Sequence, residues 1–407
     1  MEILPVIYLV YMFISIYFLT LFLMLYFHNK KTLFNCPTTK KKYSISILVP
    51  AYNEEKTIQD TINSIFEVDY PIKEVIVLND GSKDRTKEFA EELKKRYPNL
   101  IVVNKENSGK ADSLNVGIKM AKGELVVVVD ADSYPAKDSF RKMVGFFDDE
   151  KVGAATCLIV PRNREKFLEK MQVIEYNIIA FSRKLLGYVG AIYVTPGPLA
   201  MYRKTALEEV GGFDTKNMTE DIEATWRLMD AKYNREMCLS AKVTTTAPNK
   251  FRQWYTQRRR WAIGGIECIA KYKNKFFKKG MLGMFVVPFF LLQLFIGIVG
   301  LGIFLYLVIT SLISKFLLVR YSIPANVPLL TMDNLYITPS FLNYLGITLF
   351  LAGLIFTLLT LSIMKETVAK KQNIFNVLFF SVFYLAIYPM IALNSIYDYL
   401  RGRRKWR

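Results

Sequence analysis

Four stretches of the sequence carry no charged side chain, and each is long enough to cross a lipid bilayer. They cover residues 4–27, 281–314, 334–364 and 372–397. A membrane-spanning helix needs about 20 consecutive apolar residues. We therefore predict a multi-pass protein of the cell membrane, with an N-terminal transmembrane helix at 1–28 and a C-terminal transmembrane bundle at 281–400.

Lysine residues flank the first two stretches and predict their orientation. Five follow the first stretch and five precede the second: Lys30, Lys31, Lys40, Lys41, Lys42, Lys271, Lys273, Lys275, Lys278 and Lys279. Basic residues favour the cytoplasmic side, so we expect the N-terminus outside the cell and the region between the stretches in the cytoplasm. These lysines account for much of the net charge of +18. Because no groove-reading motif accompanies that charge, we predict no nucleic-acid partner.

The charges near the C-terminus leave the number of crossings open. Three further crossings would place the basic tail, residues 401–407, outside the cell, although the positive-inside rule favours the cytoplasm for it. The same rule favours the cytoplasm for Lys365, Lys370 and Lys371. A re-entrant or broken helix would remove this conflict. The second stretch is the candidate, because it contains Pro288, Gly297, Gly300 and Gly302.

Histidine and cysteine usage excludes several kinds of catalytic site. The only histidine, His28, follows the first stretch, so the cytoplasmic region holds no Ser-His-Asp triad, Cys-His dyad or polyhistidine metal site. The four cysteines, Cys36, Cys157, Cys238 and Cys268, show no CxxC or disulfide-framework spacing, and we predict reduced thiols. A catalyst here has to use carboxylates, lysine, arginine, backbone amides or a hard metal ion.

The cytoplasmic region alternates short apolar strands with helices. The predicted strands are 44–49, 74–78, 100–103 and 125–129, and the predicted helices are 54–66, 84–97 and 111–121. Such alternation is typical of a parallel sheet covered by helices on both faces. Ligands of these sheets bind beyond the carboxyl ends of the strands.

Acidic residues follow three of these strands. Glu54 follows the first, Asp80 the second, and Asp130 and Asp132 the most apolar one. Asp80 is equally well explained as a turn or cap residue. Two carboxylates spaced i, i+2 at the end of a buried strand repel each other and lose hydration unless a cation lies between them. We therefore predict that Asp130 and Asp132 share Mg²⁺ or Mn²⁺, which also holds a diphosphate.

Six motifs occur in order along this region. They are PAYNEE at 50–55, NDGSKD at 79–84, SGKADSLNVGI at 108–118, DAD at 130–132, TED at 219–221 and QRRRW at 257–261. In this combination the sequence resembles the processive family-2 glycosyltransferases: the poly-N-acetylglucosamine, cellulose, chitin and hyaluronan synthases. The resemblance implies an α/β fold, with a GT-A, Rossmann-like nucleotide-sugar domain at 43–250. It places interfacial amphipathic helices with the QRRRW motif at 251–280.

The resemblance implies a nucleotide-sugar site built from Ala51, Tyr52, Glu54, Asp80, Lys110, Asp130, Asp132 and Arg260. Asp132 is the expected direct metal ligand, and Asp130 shares the ion or lies nearer the ribose. Asp80 would accept the N3–H of uracil, which favours a UDP-sugar donor. Arg260 would neutralise the departing diphosphate. Without the resemblance, Lys110 would be interpreted as a solvated surface lysine.

The resemblance also implies a catalytic base and an acceptor site. Asp221 is the expected base, which removes the proton of the attacking sugar hydroxyl, and one such displacement inverts the anomeric centre. The acceptor site comprises Gly197, Glu220, Gln257 and Trp261. Two ordinary explanations compete: the TED motif has the composition of a common helix start, and QRRRW that of a basic interfacial helix.

We therefore expect a processive, inverting hexosyltransferase that polymerises sugar from a UDP-sugar, with UDP-GlcNAc favoured, into a β-linked polysaccharide and feeds the chain across the membrane. Its partners would be the UDP-sugar donor, the growing polysaccharide acceptor and the lipid bilayer. One alternative is a non-processive enzyme that transfers one sugar to a polyprenyl phosphate or other lipid. An alternative of another class is a nucleotide-binding membrane scaffold or channel without turnover.

Overall fold

The computed structural model describes residues 3–324, 341–364 and 372–403. Residues 334–340 of the third apolar stretch lie outside these ranges, as do Lys365, Lys370, Lys371 and residues 404–407 of the basic tail. The described ranges form an α/β domain built on one mixed sheet, with long apolar helices packed beside it.

The sheet has eight strands among the described residues: β1 (Ile45–Ala51), β2 (Glu74–Asp80), β3 (Leu100–Lys105), β4 (Leu125–Val128), β5 (Ser133–Pro135), β6 (Val152–Pro161), β7 (Ala200–Arg203) and β8 (Asn234–Thr245). Their order across the sheet is β3-β2-β1-β4-β7-β6-β8-β5. The strands β1 to β4 pair in parallel, as predicted. β7 runs antiparallel to both neighbours, so the whole sheet is mixed.

Helices cover both faces of the sheet. In the described part they are α1 (Ile3–Asn29), α2 (Ile58–Phe66), α3 (Thr86–Leu93), α4 (Lys110–Met120), α5 (Ser139–Val144), α6 (Phe167–Gly187), α7 (Lys204–Glu209), α8 (Glu220–Asp230), α9 (Phe251–Tyr272), α10 (Val287–Ser322), α11 (Phe341–Ile363), α12 (Ile374–Phe379) and α13 (Ile387–Leu400). Helices α2, α3 and α5 pack on the face that includes Ile47 and Val75. Helices α4, α7 and α8 pack on the other, against Leu48 and Ile76. Because successive side chains point to opposite faces, strands covered on both sides are apolar throughout.

Four helical segments of the described part are long and apolar enough to cross a membrane: Pro5–Asn29, Leu282–Tyr321, Tyr344–Ile363 and Ile374–Leu400. They coincide with the four uncharged stretches. Large apolar side chains on them are exposed, including Phe13, Phe304 and Ile355. Surfaces of this kind face lipid rather than water, so the protein is associated with a membrane.

The second apolar stretch is not broken, contrary to the expectation from its proline and glycines. A π-helical turn, Leu282–Val286, leads into α10, which continues for 36 residues. Pro288 lies directly after the π-helical turn, and its missing N–H removes one helical hydrogen bond there without ending the helix. At Gly300 a Cβ would lie 3.1 Å from the Tyr11 hydroxyl of α1, so this glycine permits close helix packing. The interruption lies instead in the fourth stretch, where two turn residues, 385 and 386, separate the π-helical segment Phe380–Tyr384 from α13.

Two cysteines differ from the prediction. Cys36 and Cys238 form a disulfide, so the prediction of reduced thiols is wrong for this pair. The partners are 202 residues apart, and only the fold brings the segment after α1 to β8. Cys157 and Cys268 are buried free thiols, as predicted.

A buried ion pair connects the α/β domain to the fourth apolar stretch. The Arg258 Nε of α9 donates to Glu175 of α6 at 2.9 Å, and the two side chains are 1% and 5% exposed. Tyr384 and Tyr388 of the fourth stretch donate their hydroxyls to the same carboxylate. Two charges this deeply buried are tolerated only when paired and fully hydrogen-bonded. This cluster therefore fixes α6, α9 and the fourth stretch relative to one another.

Glu175→Gln is expected to destabilise the protein by about 3 kcal/mol or more, because it leaves the Arg258 guanidinium buried without its counter-charge. Denaturant unfolding of the purified full chain measures the change. Glu88→Gln is the matched control, since Glu88 pairs with Arg85 where both side chains are more than half exposed, and its loss should leave stability unchanged. Wild-type stability of Glu175→Gln would contradict the buried pair.

Candidate active site

A cavity of about 1100 Å³ lies at the carboxyl ends of the parallel strands. The structure places all thirteen predicted site residues on its wall: Ala51, Tyr52, Glu54, Asp80, Lys110, Asp130, Asp132, Gly197, Glu220, Asp221, Gln257, Arg260 and Trp261. Residues from six separate motifs thus meet in one place. The volume slightly exceeds the range of about 300–1,000 Å³ for small-molecule sites, which suits two ligands rather than one.

Asp80 is the last residue of β2, and its carboxylate holds the loop that leads into α4. It accepts hydrogen bonds from Lys105 Nζ at 2.7 Å, from the Ser108 N–H at 3.0 Å and from the Gly109 N–H at 2.8 Å. Burial favours the neutral acid, but these donors outweigh it and hold the pKa of Asp80 below its ordinary value. A carboxylate has about four acceptor positions, so this one can still accept from a ligand.

Three further carboxyl groups, those of Glu54, Asp130 and Asp132, line the same cavity as Asp80. Burial raises the pKa of Glu54 to about 7, and the charges of Asp132 and Asp130 act in the same direction. Burial, followed by the charge of Asp130, raises the pKa of Asp132 to about 6. The partners of Asp132 are neutral hydroxyls, Ser133 Oγ at 3.0 Å and Thr245 Oγ1 at 3.3 Å. The repulsion among these carboxylates is therefore only partly compensated by protein groups.

This donor set fits a hard divalent cation. In the described ranges, no three His, Cys, Asp or Glu side chains converge closely enough to hold an ion by themselves. Asp130 and Asp132 would supply two oxygen ligands, and a bound substrate and water would supply the others. Mg²⁺ and Mn²⁺ are commonly held in this way, by one or two carboxylates together with substrate phosphates.

Lys110 begins α4 and connects two sides of the cavity. Its Nζ lies 2.6 Å from Asp130 Oδ1 and 2.9 Å from Glu220 Oε1. Burial disfavours the ammonium, but the two carboxylates outweigh that effect and raise its pKa above the ordinary value. The side chain is only 22% exposed, so Lys110 is not a solvated surface lysine. A cation at a helix N-terminus favours an anionic ligand.

Gly197 lies against the Lys110–Asp130 ion pair. A Cβ at this position would lie 2.6 Å from Lys110 Nζ and 2.8 and 2.9 Å from the carboxylate oxygens of Asp130. A side chain of any size would therefore displace the loop or the ion pair. Only glycine allows the backbone to approach these charges so closely.

Glu220 and Asp221 begin α8, and their ionisation differs. Burial favours neutral Glu220, but Lys110 and Arg260 hold its pKa below the ordinary value. Burial and the adjacent charge of Glu220 raise the pKa of Asp221 to about 6. A carboxyl group whose pKa approaches the working pH is suited to accept a proton. Glu220 therefore stays ionised, whereas Asp221 can accept a proton.

Helix α9 presents three of the predicted residues to the cavity: Gln257, Arg260 and Trp261. The Arg258 guanidinium lies over the Trp261 ring, 4.2 Å from its centroid, and donates to Gln257 Oε1. Because Glu175 holds Arg258, the buried cluster also positions these two cavity residues. Trp261 offers a flat ring of the kind on which sugars rest.

Residues outside the motifs also line the cavity. Tyr176 and Arg183 come from α6, Phe290 and Gln293 from α10, and Tyr388 from α13. No sequence pattern marked these residues, because they lie in helices without a motif. Gln293 is the one residue of this set that its sequence context could have indicated, because it is the one amide side chain in residues 281–314. Polar side chains within membrane-spanning stretches are often functional. Their positions extend the cavity from the strand ends to the apolar helices.

Comparison with known proteins found a matching family and similar sequences. The family described as glycosyl transferase family 2 matches residues 46–211. Poly-beta-1,6-N-acetyl-D-glucosamine synthase of Staphylococcus epidermidis is 34% identical over 283 residues, which cover 68% of this chain and 69% of the relative. The protein of the same name from Staphylococcus aureus strain COL is 34% identical over 259 residues, which cover 63% of this chain and 62% of the relative.

A solved structure shares the fold. A mannosyltransferase of Pyrobaculum calidifontis, in complex with GDP-Man and Mn²⁺, superposes with a TM-score of 0.61 at 19% identity, covering 98% of this chain and 99% of that one. The similarity extends through the apolar helices as well as the sheet. The predicted GT-A fold with additional long apolar helices is thereby confirmed.

Gly197→Ala is expected to lower the rate of sugar transfer by about 10²-fold, because the added methyl displaces groups that position the reactants. Initial rates with a labelled UDP-sugar measure the loss. Gly302→Ala is the matched control, since a Cβ there meets nothing within 4 Å and alanine favours a helix. A wild-type rate in Gly197→Ala would show that the loop does not pack against the ion pair.

Proposed function

This chain belongs to glycosyl transferase family 2 and is a glycosyltransferase, and from that premise we propose that it polymerises N-acetylglucosamine from UDP-GlcNAc into a β-linked polysaccharide. The named product of the relatives that are 34% identical to it supports this choice of sugar. The observation that carries the proposal is one continuous cavity. It extends from Asp80, past Asp221, to α9 and α10, so donor and acceptor fit in one site beside the apolar helices.

The donor nucleotide would bind at the ends of β1 and β2. Asp80 would accept the N3–H of uracil, and Ala51, Tyr52 and Glu54 would line the nucleoside pocket. Lys110 and Arg260 are the cations available for the diphosphate. Asp130 and Asp132 would hold Mg²⁺ or Mn²⁺, which when bound would offset the negative charge of the diphosphate as it departs.

Asp221 would act as the general base. The acceptor hydroxyl loses its proton to the carboxylate while its oxygen forms a bond to the anomeric carbon, and the bond from that carbon to the diphosphate breaks. A positioned base contributes about 10²–10⁴-fold to such a step. One displacement inverts the anomeric centre, so an α-linked UDP-sugar gives a β-linked product. Arg260 stabilises charge that develops only as the diphosphate leaves.

The acceptor end of the cavity supports processive synthesis. Trp261 and Gln257 would hold the terminal sugar of the growing chain, Glu220 would remain ionised beside it, and Gly197 would permit close approach of the backbone. Phe290 and Gln293 of α10 also line this cavity. A chain that leaves past α10 enters the apolar bundle rather than the cytoplasm. That placement supports the proposal that the chain is fed across the membrane.

The contacts of the fourth apolar stretch support an orientation for the whole chain. At its start Gln372 donates to the Lys170 carbonyl of α6, and near its end Asp398 accepts from Arg259 of α9 at 2.7 Å. Both ends therefore touch the domain that carries the active site. A helix crossing a hydrocarbon core of about 30 Å would carry one end away from that domain. We propose that this stretch lies along the cytoplasmic membrane surface.

Three crossings then remain, made by α1, α10 and α11. They place the N-terminus outside the cell, the catalytic domain in the cytoplasm and the C-terminus in the cytoplasm. The basic tail, residues 401–407, and the lysines of 365–371 then satisfy the positive-inside rule. This arrangement would satisfy the positive-inside rule at both positions without a break in the second stretch.

The wild-type protein, incubated with UDP-GlcNAc and Mg²⁺ or Mn²⁺, is expected to give a ladder of β-linked products, and Asp221→Asn to lower the transfer rate at least about 10²-fold. Because the asparagine removes only the proton acceptor, cation-dependent UDP binding should persist in calorimetry. Asp230→Asn, on the exposed end of the same helix, is the matched control and should transfer normally. Product sizing and initial rates are the measurements.

The pH dependence supplies a second readout for the same base. Because the pKa of Asp221 is raised to about 6, the wild-type rate should fall as the pH decreases below about 6, where the base becomes protonated.

Two results of the product and rate measurements would contradict the proposal. A single glycolipid product would contradict polymerisation, and full activity of Asp221→Asn would contradict the assignment of Asp221 as the base. UDP binding without any transfer would support a nucleotide-binding scaffold instead.

Cysteine labelling tests the three-crossing orientation. In intact cells, a membrane-impermeant maleimide should label Ile323→Cys, at the outer end of α10, and should label Arg403→Cys only after permeabilisation. The unsubstituted protein, whose cysteines in the described part are buried or disulfide-bonded, serves as the background control. Labelling of Arg403→Cys in intact cells would show that the fourth stretch crosses the membrane.

A further inference from the structure

Lys105, the last residue of β3, is held by hydrogen bonds and two carboxylates. Its Nζ lies 2.7 Å from Asp80 Oδ1 and 3.2 Å from Asp112 Oδ2. It also donates to the Glu106 carbonyl at 2.9 Å and to Ser108 Oγ. Burial disfavours the ammonium, but the two carboxylates outweigh that effect and raise the pKa of Lys105 above its ordinary value. Lys105 is not one of the described residues that line the cavity, so it acts on a ligand through Asp80.

The other charged groups near Asp80 do not replace Lys105. Asp112 of α4 contacts Lys105 and not Asp80. Lys110, which begins the same helix, is paired with two other carboxylates. Glu54, which follows β1, lines the same cavity but is itself a carboxyl group. Among the residues that the structure describes, Lys105 is therefore the one cation in an ion pair with Asp80.

The Asp80 carboxylate is also held in one orientation. Besides Lys105, the backbone N–H groups of Ser108 and Gly109 donate to it at 3.0 and 2.8 Å. The Asn107 side chain donates to the Asp80 backbone carbonyl at 2.9 Å. The backbone donors are neutral, whereas Lys105 adds a full positive charge to a carboxylate that is only 5% exposed. An opposite charge at this distance favours the ionised form of an acid.

The ionisation of Asp80 decides which pyrimidine base it can recognise. Uracil has an N–H at N3, whereas cytosine has an unprotonated nitrogen at that position. An ionised carboxylate only accepts hydrogen bonds, so it binds uracil and repels cytosine, whereas a protonated carboxyl group has an O–H that can donate to cytosine. Burial raises the pKa of Asp80, but Lys105 and the two backbone donors hold it below the ordinary value.

We propose that Lys105 is a positioning residue for base specificity, whose charge and hydrogen bond to Asp80 make the donor site select uridine over cytidine nucleotides. This role rests on the proposed function, in which Asp80 accepts the N3–H of uracil, and it adds the residue that enforces the selection. Lys105 would touch neither the donor nor the reacting atoms. UDP and CDP share the diphosphate and the metal ion, so the ratio of their affinities reports on the base alone.

The test measures UDP and CDP affinities by calorimetry with Mg²⁺, between about pH 5.5 and pH 8, for the full-length wild type, Lys105→Met and Lys105→Arg. The wild type should prefer UDP at least about 10²-fold at every pH, because CDP leaves the buried carboxylate without a donor. In Lys105→Met the preference should be at least about tenfold lower at the lowest pH than at the highest, because Asp80 without its counter-charge becomes protonated as the pH decreases.

Two control variants separate the charge of Lys105 from other effects. Lys105→Arg keeps the positive charge, so it should restore a preference for UDP that does not change with pH. Lys87→Met removes an exposed lysine of α3, and it should behave as the wild type does.

Three results would overturn the proposal. The first is a preference of Lys105→Met for UDP equal to that of the wild type at every pH. The second is an equal loss of affinity for both nucleotides, which would give Lys105 a structural role only. The third is a wild-type preference for UDP that itself declines as the pH decreases. The third measurement needs no variant, so it decides even if Lys105→Met fails to fold.

Asp80→Asn and product sizing distinguish this proposal from the proposed function. An asparagine can either donate or accept, so Asp80→Asn should lose the preference for UDP. A retained preference would show that Asp80 does not contact the base, and the role of Lys105 would fail with that assignment. If the wild type selected UDP through Lys105 but made no polymer, the proposed polymerisation would fail while the role of Lys105 stood.

Discussion

The ion pairs of Lys110 hold the two halves of the active site together. Asp130 follows the central strand, Glu220 begins α8, and the ammonium between them lies within 3 Å of both carboxylates. These carboxylates come from elements ninety residues apart in sequence, so their separation is set by the lysine and not by local structure. Gly197 packs directly on this contact. The ionisation of Glu220, and through it that of Asp221, depends on the same cation.

A second buried charge pair couples this site to the apolar helices. Glu175 and Arg258 lie where α6, α9 and the fourth apolar stretch meet, and the hydroxyls of Tyr384 and Tyr388 complete the hydrogen bonding of the carboxylate. Arg258 in turn contacts Trp261 and Gln257. The part of the cavity wall formed by α9 is therefore fixed to the fourth stretch. This cluster therefore keeps the active site aligned with the apolar helices.

Much of the site could be predicted because its residues occur in short motifs at strand and helix ends. Asp80 ends one apolar strand, and Asp130 and Asp132 follow another. Parallel pairing brings the carboxyl ends of these strands to one edge of the sheet. Arg183, Tyr388 and Phe290 could not be found in the same way. They lie inside helices, and which face of a helix borders a cavity depends on how several elements pack, which no local pattern encodes.

The sequence by itself determined the chemistry and the membrane association. The single histidine and the ordered charged motifs indicate a catalyst built from carboxylates and basic residues. The four uncharged stretches indicate association with a lipid membrane. Only the tertiary structure decided which charges are paired. It paired Glu175 with Arg258, joined Cys36 to Cys238 and packed the fourth stretch against the catalytic domain. Hydropathy is a sum over neighbouring residues, whereas an ion pair depends on distances between residues far apart in the chain, and folding alone sets those distances.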